Sequence, residues 1–347
     1  MAKLNDGIEK RRLGKAGQEV SRLCLGTMMF GDRTDEAGSI DIIAAYAAAG
    51  GNFIDTADVY AGGRSEEIVG AAFDGSNGLS RDDFVVATKF GNKMRDDPTS
   101  GGLSPAYMAR ALDASLDRLQ MESVDLYYLH LDDEATPLDT VIDAMGRAIE
   151  DGKVRHWGFS NFRGWKIAEM VAICDRLGVA RPVALQPYYH ALYRDAEREL
   201  LPACEHFGIG VVSYSPLARG VLTGKYSSSV PEGSRGSRGD VRISETEMRP
   251  ALLDAARAFD EHVTANGRRS ADVAVQWVLA NRAITSVLAG PRTLGQLEGY
   301  LAALEGQLTD ADEAFVAKLV PAGTSAGSTY FDPRYPYRGR FLARSDA

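Results

Sequence analysis

Residues 53–67, FIDTADVYAGGRSEE, contain a strand, a loop and the start of a helix in one short stretch. The stretch begins with an apolar strand, which stops at the carboxylate of Asp55. Tyr60 and two glycines follow, and Ser65 with two glutamates has the composition of a helix N-terminus, where acidic side chains are favoured. The segment therefore predicts one β/α unit, which is the building block of α/β folds.

The same pattern recurs along the chain. Short apolar runs that predict strands cover residues 21–26, 52–56, 84–89, 124–130, 154–160, 182–187, 210–215 and 285–290. Several are apolar at nearly every position, as in parallel strands that helices cover on both faces. The stretches between them are amphipathic; Ser104 and Pro105, for example, suit the N-cap and first turn of a helix. Eight such units favour a closed (β/α)8 TIM barrel, with residues 1–347 as a single domain.

An open doubly wound sheet is the alternative fold. Its dinucleotide-binding form carries a GxGxxG motif early in the chain. The nearest match, GIGVVS at 208–213, lies late and ends in serine. The barrel is therefore preferred over the open sheet.

Two segments depart from the alternation of strands and helices. Residues 224–250 follow the seventh predicted strand and are rich in Gly, Ser and Arg, which predicts a long surface loop. Residues 321–341 lack periodicity but are rich in aromatic side chains. We expect them to form a C-terminal tail that lies over the active-site rim of the barrel.

Composition excludes several classes of protein. The chain has a net charge of -9 and a pI near 5.2, which argue against a nucleic-acid-binding surface. The sequence has no apolar run of the roughly 18 residues that a membrane helix needs, and no apolar segment follows the basic N-terminus as in a signal peptide. Cys24, Cys174 and Cys204 fit neither a disulfide framework nor a CxxC metal site. We expect a cytoplasmic protein with reduced cysteines, no metal, and no nucleic-acid or membrane partner.

Four functional side chains follow consecutive predicted strands. Asp55 ends the second strand, Lys89 the third and His130 the fourth, and Tyr60 lies in the loop after the second. The carboxyl ends of barrel strands meet at one rim, so these side chains are expected to converge. Each residue alone has an ordinary structural explanation, such as a turn cap or a packed core residue. Four of them in register with one rim indicate a site.

The chemistry that these groups share is proton transfer to a carbonyl oxygen. A phenol has a pKa near 10 and is a weak acid at neutral pH, unless a neighbouring ammonium stabilises the phenolate. A carboxylate can hold that ammonium, and an imidazole can orient the carbonyl. No side chain donates hydride, so a cofactor is implied.

Five segments, in order along the chain, resemble the aldo-keto reductases: FIDTADVYAGGRSEEIVG, VVATKFG, DLYYLHLDD, GFSNF and SYSPLARGVLTGKY. The resemblance extends from about Gly26 to about Leu304. It implies a (β/α)8 barrel that binds NADPH in an extended conformation, without a Rossmann domain. It also implies a reversible reduction of aldehydes or ketones, small-molecule carbonyl substrates, to alcohols.

The resemblance gives each of the four side chains a role. Tyr60 would be the general acid, and Lys89 with Asp55 would lower its pKa. His130 would position the substrate carbonyl. The carboxylate that ends the strand at 53–55 would thus anchor the lysine that makes the tyrosine acidic.

The resemblance also assigns the cofactor site. Ser160, Asn161 and Gln186 would hydrogen-bond the nicotinamide carboxamide, and Tyr214 would stack on the nicotinamide ring. The residues at or near the pyrophosphate would be Ser215, Leu217, Arg219, Gly220 and Lys225.

The adenosine end of the cofactor would lie after the eighth strand. Gly290, Arg292 and Gln296 would hold the 2′-phosphate at a helix N-terminus, where free N–H groups and the helix dipole favour an anion. Gly299 and Tyr300 stand where many relatives have an acidic residue and an asparagine that contact the adenine. Because the residues that would bind the 2′-phosphate are present, we expect NADPH rather than NADH. The contacts to the adenine are expected to differ from those in these relatives.

Substrate choice is expected to depend on the loops at the rim. Met29, Phe30 and Phe90 are predicted to line the substrate pocket. Further candidates are Trp157 and the tail aromatics Tyr330, Phe331, Tyr335 and Tyr337.

Two other functions remain possible on the sequence alone. Some aldo-keto reductase relatives are channel-associated β-subunits, so the chain is alternatively a cofactor-binding regulatory or sensor subunit with little turnover. A metal-dependent barrel hydrolase would need clustered histidines. The five in this chain are scattered, with no HxH or HExxH motif.

Overall fold

The computed structural model describes residues 7–226, 230–232, 234, 236–237, 239, 241–327 and 334. Ten strands lie in these residues: β1 Lys10–Arg12, β2 Glu19–Ser21, β3 Leu23–Gly26, β4 Phe53–Asp55, β5 Val85–Phe90, β6 Val124–Leu129, β7 Val154–Ser160, β8 Ala184–Gln186, β9 Gly210–Tyr214 and β10 Ile284–Ala289. Strands β3 to β10 are parallel, each pairs with the next, and β10 pairs with β3 to close a barrel. The predicted (β/α)8 barrel is confirmed, and each predicted strand coincides with one barrel strand.

Helices connect the barrel strands on the outside. They are α1 Glu36–Ala48, α2 Arg64–Ala71, α3 Pro105–Leu119, α4 Leu138–Glu150, α5 Gly164–Leu177, α6 Leu200–Phe207, α7 Val241–Thr246, α8 Pro250–Ala265, α9 Ser270–Ala280, α10 Leu294–Ala303 and α11 Asp310–Leu319. The predicted cap of α3 is confirmed, because the Ser104 side chain accepts from the Tyr107 amide. This bond satisfies one of the backbone donors that a helix N-terminus leaves open.

The antiparallel hairpin formed by β1 and β2 was not predicted. Its residues Leu13 and Val20 are buried with the inward-facing residues of the barrel, including Phe53 and Val85. Phe53 and Val85 are the first residues of β4 and β5. The hairpin therefore packs against the amino ends of the strands, and the carboxyl ends face the opposite rim.

The segment at 224–250 is not loop throughout. It contains α7, whose Ile243 and Thr246 are fully buried, and the next residue, Glu247, is fully buried as well. Part of the predicted surface loop is thus packed onto the barrel. The prediction missed α7 because a six-residue helix cannot show an amphipathic stripe of useful length.

The start of the C-terminal segment is hydrogen-bonded to the barrel. The carbonyl of Thr324 accepts from the Arg194 amide at 2.8 Å, and the Ala326 amide donates to Leu192 at 2.9 Å. Arg334 lines the cavity at the carboxyl ends of the strands. The tail aromatics Tyr330, Phe331, Tyr335 and Tyr337 lie outside the described residues.

Candidate active site

A cavity of about 1020 Å³ opens at the carboxyl ends of the barrel strands. Sixteen of the nineteen predicted site residues line it: Met29, Asp55, Tyr60, His130, Ser160, Asn161, Gln186, Tyr214, Ser215, Leu217, Arg219, Gly220, Lys225, Gly290, Arg292 and Gln296. Lys89 lies beneath the cavity wall, fully buried. Only Phe30 and Phe90 are placed elsewhere. The parallel barrel brings these side chains to one rim from segments that are far apart in sequence.

Asp55, Lys89 and Tyr60 form a chain of polar contacts. The Lys89 ammonium donates to the Asp55 carboxylate, to the Thr56 carbonyl oxygen at 2.7 Å and to the Tyr60 hydroxyl at 3.4 Å. Both side chains of the ion pair are 0% exposed. The amide of Gln186 donates to the second Asp55 oxygen at 2.8 Å, so the carboxylate is held at both oxygens. The fixed ammonium therefore faces the Tyr60 hydroxyl.

The ion pair determines the charge of Lys89. Burial by itself would lower the pKa of Lys89, but the carboxylate of Asp55 and the hydroxyl of Tyr60 outweigh burial and raise that pKa above its usual value. Lys89 therefore remains an ammonium at neutral pH, even though no part of it reaches solvent.

The backbone around Tyr60 turns tightly. Tyr60 opens a short 3-10 turn, and the next residues Ala61, Gly62 and Gly63 all have positive φ angles. Gly63 has a φ of 99°, a backbone conformation that favours glycine. The turn leads directly into α2, whose N-cap is Gly63, and leaves the tyrosine at the cavity.

A buried hydroxyl cluster fixes this corner of the barrel. The Ser65 hydroxyl lies 2.7 Å from the Thr27 hydroxyl and 2.9 Å from the Thr56 hydroxyl. Thr27 follows β3, Thr56 follows β4, and Ser65 lies in the first turn of α2. The cluster therefore ties the loops beside Asp55 to the helix that follows Tyr60.

His130 lies across from Tyr60, with ring centroids 6.0 Å apart and planes at 83°. Its Nδ1 atom is buried and has no hydrogen-bond partner within the part of the chain that the structure describes. Burial first, and then the charges of Lys89, Arg242 and Arg334, lower the pKa of His130 well below its usual value. The ring is therefore neutral at physiological pH and offers one N–H donor and one acceptor.

The predicted carboxamide-binding residues already form a hydrogen-bonded group. Asn161 donates to the His130 carbonyl oxygen and to the Ser160 hydroxyl, each at 2.9 Å, and the Tyr214 hydroxyl donates to the Asn161 carbonyl oxygen at 2.9 Å. The Ser160 hydroxyl donates to the Gln186 backbone at 2.7 Å. These bonds place polar groups and an aromatic ring on one wall of the cavity, next to His130.

The loop after β9 brings backbone and a basic side chain to the cavity. Ser215 has a positive φ of 60°. The Lys225 ammonium lies 2.7 Å from the position that a Cβ on Gly220 would occupy. Gly220 has a φ of 98°, a backbone conformation that favours glycine. The loop thus brings a positive charge to the cavity, which suits a pyrophosphate.

Arg219 lines the cavity, but its guanidinium also forms an ion pair and other contacts outside the cavity lining. Its guanidinium pairs with the buried carboxylate of Glu247, donates to the Thr246 hydroxyl at 2.8 Å and lies 5.1 Å from the centre of the Tyr188 ring. Tyr188 also donates to Glu247. Arg219 thus joins the loop after β9 to the end of α7. This pairing was not predicted, because the partners lie in different segments of the chain that no local pattern connects.

The segment after β10 provides a helix N-terminus. Thr293 caps α10 by accepting from the Gln296 amide, and the Gln296 side chain accepts from the Arg292 backbone at 2.8 Å. Gly299 and Tyr300 line the cavity too. A Cβ on Gly299 would lie 3.4 Å from the Arg269 guanidinium, so the glycine brings an arginine against the helix.

Three predicted substrate contacts lie outside the cavity. Phe30 and Phe90 are fully buried, and Phe90 stacks on Tyr127 with ring centroids 5.0 Å apart. Trp157 is 1% exposed, and its indole N–H donates to the Ala180 carbonyl oxygen at 2.6 Å. These aromatics pack in the core between strands and helices. Of the loop candidates within the described residues, Met29 faces the cavity, together with its neighbour Met28.

A group of basic residues that were not predicted as site residues lines the same cavity: Lys93, Arg242, Arg268, Arg269 and Arg334. Arg242 lies in α7, and Arg268 and Arg269 precede α9. The arginine content of the 224–250 segment and the Arg-Arg pair were visible signals, but neither indicates which way a side chain points.

A second buried carboxylate lies close to Tyr60. Asp58 is 1% exposed, its amide donates to the Lys89 carbonyl oxygen at 3.1 Å, and its Oδ2 accepts from the Tyr107 hydroxyl at 3.4 Å. Its Oδ1 has no hydrogen-bond partner among the residues described. Burial, reinforced by the charge of Glu66, raises the pKa of Asp58 to about 7.

We predict that Asp58→Asn stabilises the protein more at pH 8 than at pH 5. The folded pKa of Asp58 is above the unfolded value of about 3.9, so the free energy of unfolding falls as pH rises from about 4 to about 7 and is then level. Asparagine does not ionise, so the variant does not undergo this fall in the free energy of unfolding. The fall amounts to at most about 4 kcal/mol. Urea unfolding of the wild type and the variant at both pH values measures the difference. Asp41→Asn, at an exposed position, is the control. An equal effect at both pH values would contradict the assignment.

No three His, Cys, Asp or Glu side chains are grouped as a metal site in the described ranges. The three cysteines are buried and unpaired with one another. No helix among the residues that the structure covers is long and apolar enough to span a membrane.

Comparison with known proteins gives the relatives of the chain. The model of the family described as "Aldo/keto reductase family" matches residues 22–320. An uncharacterized oxidoreductase, YrpG of Bacillus subtilis (strain 168), is 38% identical over 307 residues, which cover 86% of this chain and 91% of that protein. Probable voltage-gated potassium channel subunits beta of Oryza sativa subsp. japonica and Arabidopsis thaliana are each 33% identical over 304 residues, covering 86% of this chain and 92% of each relative.

Proposed function

The chain belongs to the aldo/keto reductase family, and from that premise we propose that it is an NADPH-dependent oxidoreductase that reversibly reduces aldehydes or ketones to alcohols. The observation that carries the proposal is the buried Asp55–Lys89 ion pair, whose ammonium lies 3.4 Å from the Tyr60 hydroxyl at the cavity wall. Perturbed ionisable groups cluster at functional sites, and an ion pair buried beneath a phenol in a cavity indicates that the phenol ionises. The relative named as an oxidoreductase supports the same reaction class.

The residues of the cavity fit a dinucleotide phosphate. The Lys225 ammonium beside Gly220 suits a pyrophosphate, and the N-terminus of α10 with Arg292 suits the 2′-phosphate. Ser160, Asn161 and Tyr214 would hold the nicotinamide beside His130. When bound, the reduced nicotinamide supplies the hydride that no side chain can supply.

The side chains would handle the proton and the substrate. Tyr60 donates its proton to the carbonyl oxygen as that oxygen gains charge, and the Lys89 ammonium stabilises the phenolate that remains. Asp55 keeps the ammonium in place. The neutral His130 donates an N–H to the carbonyl oxygen and so orients it. In the reverse direction, Tyr60 takes the proton from the alcohol.

The reaction class is tested by mixing the protein with NADPH and a panel of aldehydes and ketones, and by following the loss of NADPH absorbance. We expect turnover with simple aromatic aldehydes such as 4-nitrobenzaldehyde. Bound NADPH without turnover on any carbonyl of the panel would instead support the second candidate.

That second candidate is a cofactor-binding regulatory or sensor subunit. The observation in its favour is the 33% identity to the two proteins named as probable potassium channel subunits beta. A sensor needs the dinucleotide cavity, but it does not need the polar chain beneath Tyr60. We therefore rank the reductase first.

We further propose that residues 1–347 form one barrel domain and that the protein acts on small carbonyl compounds in the cytoplasm. The buried, unpaired cysteines support a reducing compartment. The acidic net charge of -9 agrees with the expected absence of a nucleic-acid partner.

We predict that Arg292→Met lowers the preference for NADPH over NADH. Arg292 lines the cavity at the capped start of α10, and a guanidinium–phosphate bond contributes about 1.5–3 kcal/mol. The Kd for NADPH should rise roughly tenfold to a hundredfold, and that for NADH should hardly change. Cofactor fluorescence titration measures both constants. Arg282→Met, at a side chain that is 85% exposed and remote from the cavity lining, is the control. Equal weakening of both cofactors would contradict a 2′-phosphate contact.

A further inference from the structure

The cavity is strongly basic, although the chain is acidic. Its lining contains eight basic residues, namely Lys93, Arg219, Lys225, Arg242, Arg268, Arg269, Arg292 and Arg334, and two acidic ones, Asp55 and Asp260. Asp55 is neutralised by Lys89, and Asp260 accepts from the Ser270 hydroxyl. The chain as a whole carries a net charge of -9. Positive charge is thus concentrated in the cavity.

The phosphates of a dinucleotide account for part of this charge. Lys225 lies at the loop after β9, Arg268 and Arg269 precede α9, and Arg292 precedes α10. All four belong to the side of the barrel where the proposed pyrophosphate and 2′-phosphate sites lie. Three of the basic residues also pair with carboxylates outside the lining: Arg219 with Glu247, Arg268 with Asp312 and Arg269 with Asp272.

The remaining three basic residues come from other segments. Lys93 follows β5, Arg242 lies in α7, and Arg334 lies in the C-terminal segment. Arg242 and Arg334 line the same cavity as Tyr60 and His130, where a substrate carbonyl would be held.

The position of Arg242 is fixed by buried contacts. The Thr246 hydroxyl donates to the Arg242 carbonyl oxygen, and the Glu247 amide donates to Ile243 at 2.9 Å. Glu247 itself is fully buried and paired with Arg219. The helix that carries Arg242 is therefore attached to the barrel, so the guanidinium reaches the cavity from a rigid element.

We propose that the substrate is a carbonyl compound that carries a carboxylate, which Arg242 and Arg334 bind while the carbonyl lies between Tyr60 and His130. The inference rests on the proposed reductase function and narrows its substrate class. Guanidinium groups match a carboxylate with paired N–H donors, and in a partly enclosed cavity such bonds are stronger than at the surface. Lys93 adds positive charge that steers an anion toward the same region.

The test compares 4-carboxybenzaldehyde with its neutral methyl ester, methyl 4-formylbenzoate. For the wild-type protein with saturating NADPH, we expect kcat/KM to be at least about tenfold higher for the acid, with most of the difference in KM. The preference should shrink as salt is raised, because screening weakens charge contacts.

Arg334→Met and Arg242→Met should each lower the ratio of kcat/KM for acid over ester by about tenfold. Arg334→Lys and Arg242→Lys keep the charge without the paired donors. Their acid-over-ester ratios should therefore fall between those of the wild type and of the methionine variants. Arg282→Met should leave both substrates unaffected, since its side chain lies at the surface away from the cavity. If Arg242→Met does not fold, as judged by circular dichroism, Arg334→Met and Arg242→Lys carry the test.

Each outcome separates the inference from the proposed function. Turnover of neither aldehyde contradicts the reductase proposal itself. Equal turnover of acid and ester by the wild type, or an unchanged ratio in the methionine variants, overturns the carboxylate inference and leaves the reductase standing. A raised Kd for NADPH with an unchanged substrate ratio would assign these arginines to the cofactor and overturn it too.

Discussion

Replacing Tyr60 by phenylalanine is expected to lower kcat by roughly a thousandfold or more, while the Kd for NADPH stays within about twofold of the wild-type value. The change removes one hydroxyl group and keeps the ring. Of the side chains within reach of the Lys89 ammonium, Tyr60 is the one whose hydroxyl faces the cavity, at 3.4 Å from that ammonium. Without it, no described group beside His130 is placed to protonate a carbonyl oxygen, whereas the predicted dinucleotide contacts remain.

The measurements are single-turnover rates with an aromatic aldehyde, and cofactor titration of the same preparation. His130→Phe is the companion variant. It removes the proposed orienting N–H donor and keeps the acid, so it should raise KM as well as lower kcat. Turnover by Tyr60→Phe close to the wild-type rate would refute Tyr60 as the acid. Absent turnover in the wild type would leave the sensor subunit as the better candidate.

The sequence predicted the barrel because its strands have a clear local signature. Strands β5 and β6 are buried at every position, and each is apolar except at Thr88, Lys89 and Asp125. Strands β1 and β2 have three residues each, and β1 reads KRR, so neither gives a signal. Their place in the fold depends on Leu13 and Val20, which meet the barrel interior only in three dimensions.

The same distinction holds for the site. Asp55, Lys89 and His130 could be brought to one rim from the sequence, because parallel strands put their carboxyl ends together. The pairing of Arg219 with Glu247, and the basic groups that enter the cavity from α7 and the C-terminal segment, follow no such rule. They depend on how irregular segments pack, which periodicity does not encode.

Phe30 and Phe90 show the opposite error. Both follow or end a barrel strand, which led to their prediction as substrate contacts, yet both are fully buried. Successive residues at a strand end face alternate sides of the sheet. Lys89 faces inward, so its neighbour Phe90 faces the helices and stacks on Tyr127. Alternation along β5 would have predicted the burial of Phe90, whereas Phe30 lies in the loop after β3, outside any barrel strand.

Replacing Lys89 by methionine is expected to lower the free energy of unfolding at pH 7 by about 3–5 kcal/mol and to abolish turnover. Methionine fills a similar volume but leaves Asp55 buried without its ammonium. Burial already raises the pKa of Asp55, and the charge of Lys89 opposes that rise. In the variant the pKa of Asp55 rises further. The penalty should therefore be present at neutral pH and vanish below about pH 4, where the carboxyl is protonated in both states.

The double variant Lys89→Met with Asp55→Asn separates stability from catalysis. Asparagine is neutral, and it can keep the bond from Gln186, which donates to Asp55 at 2.8 Å in the wild type. We expect urea unfolding of the double variant to return most of the stability lost by Lys89→Met alone, because an unpaired buried charge is gone. Turnover should stay absent, because no ammonium faces Tyr60. Recovery of activity along with stability would mean that the ion pair only holds the barrel together, and Tyr60 would then need another source of acidity.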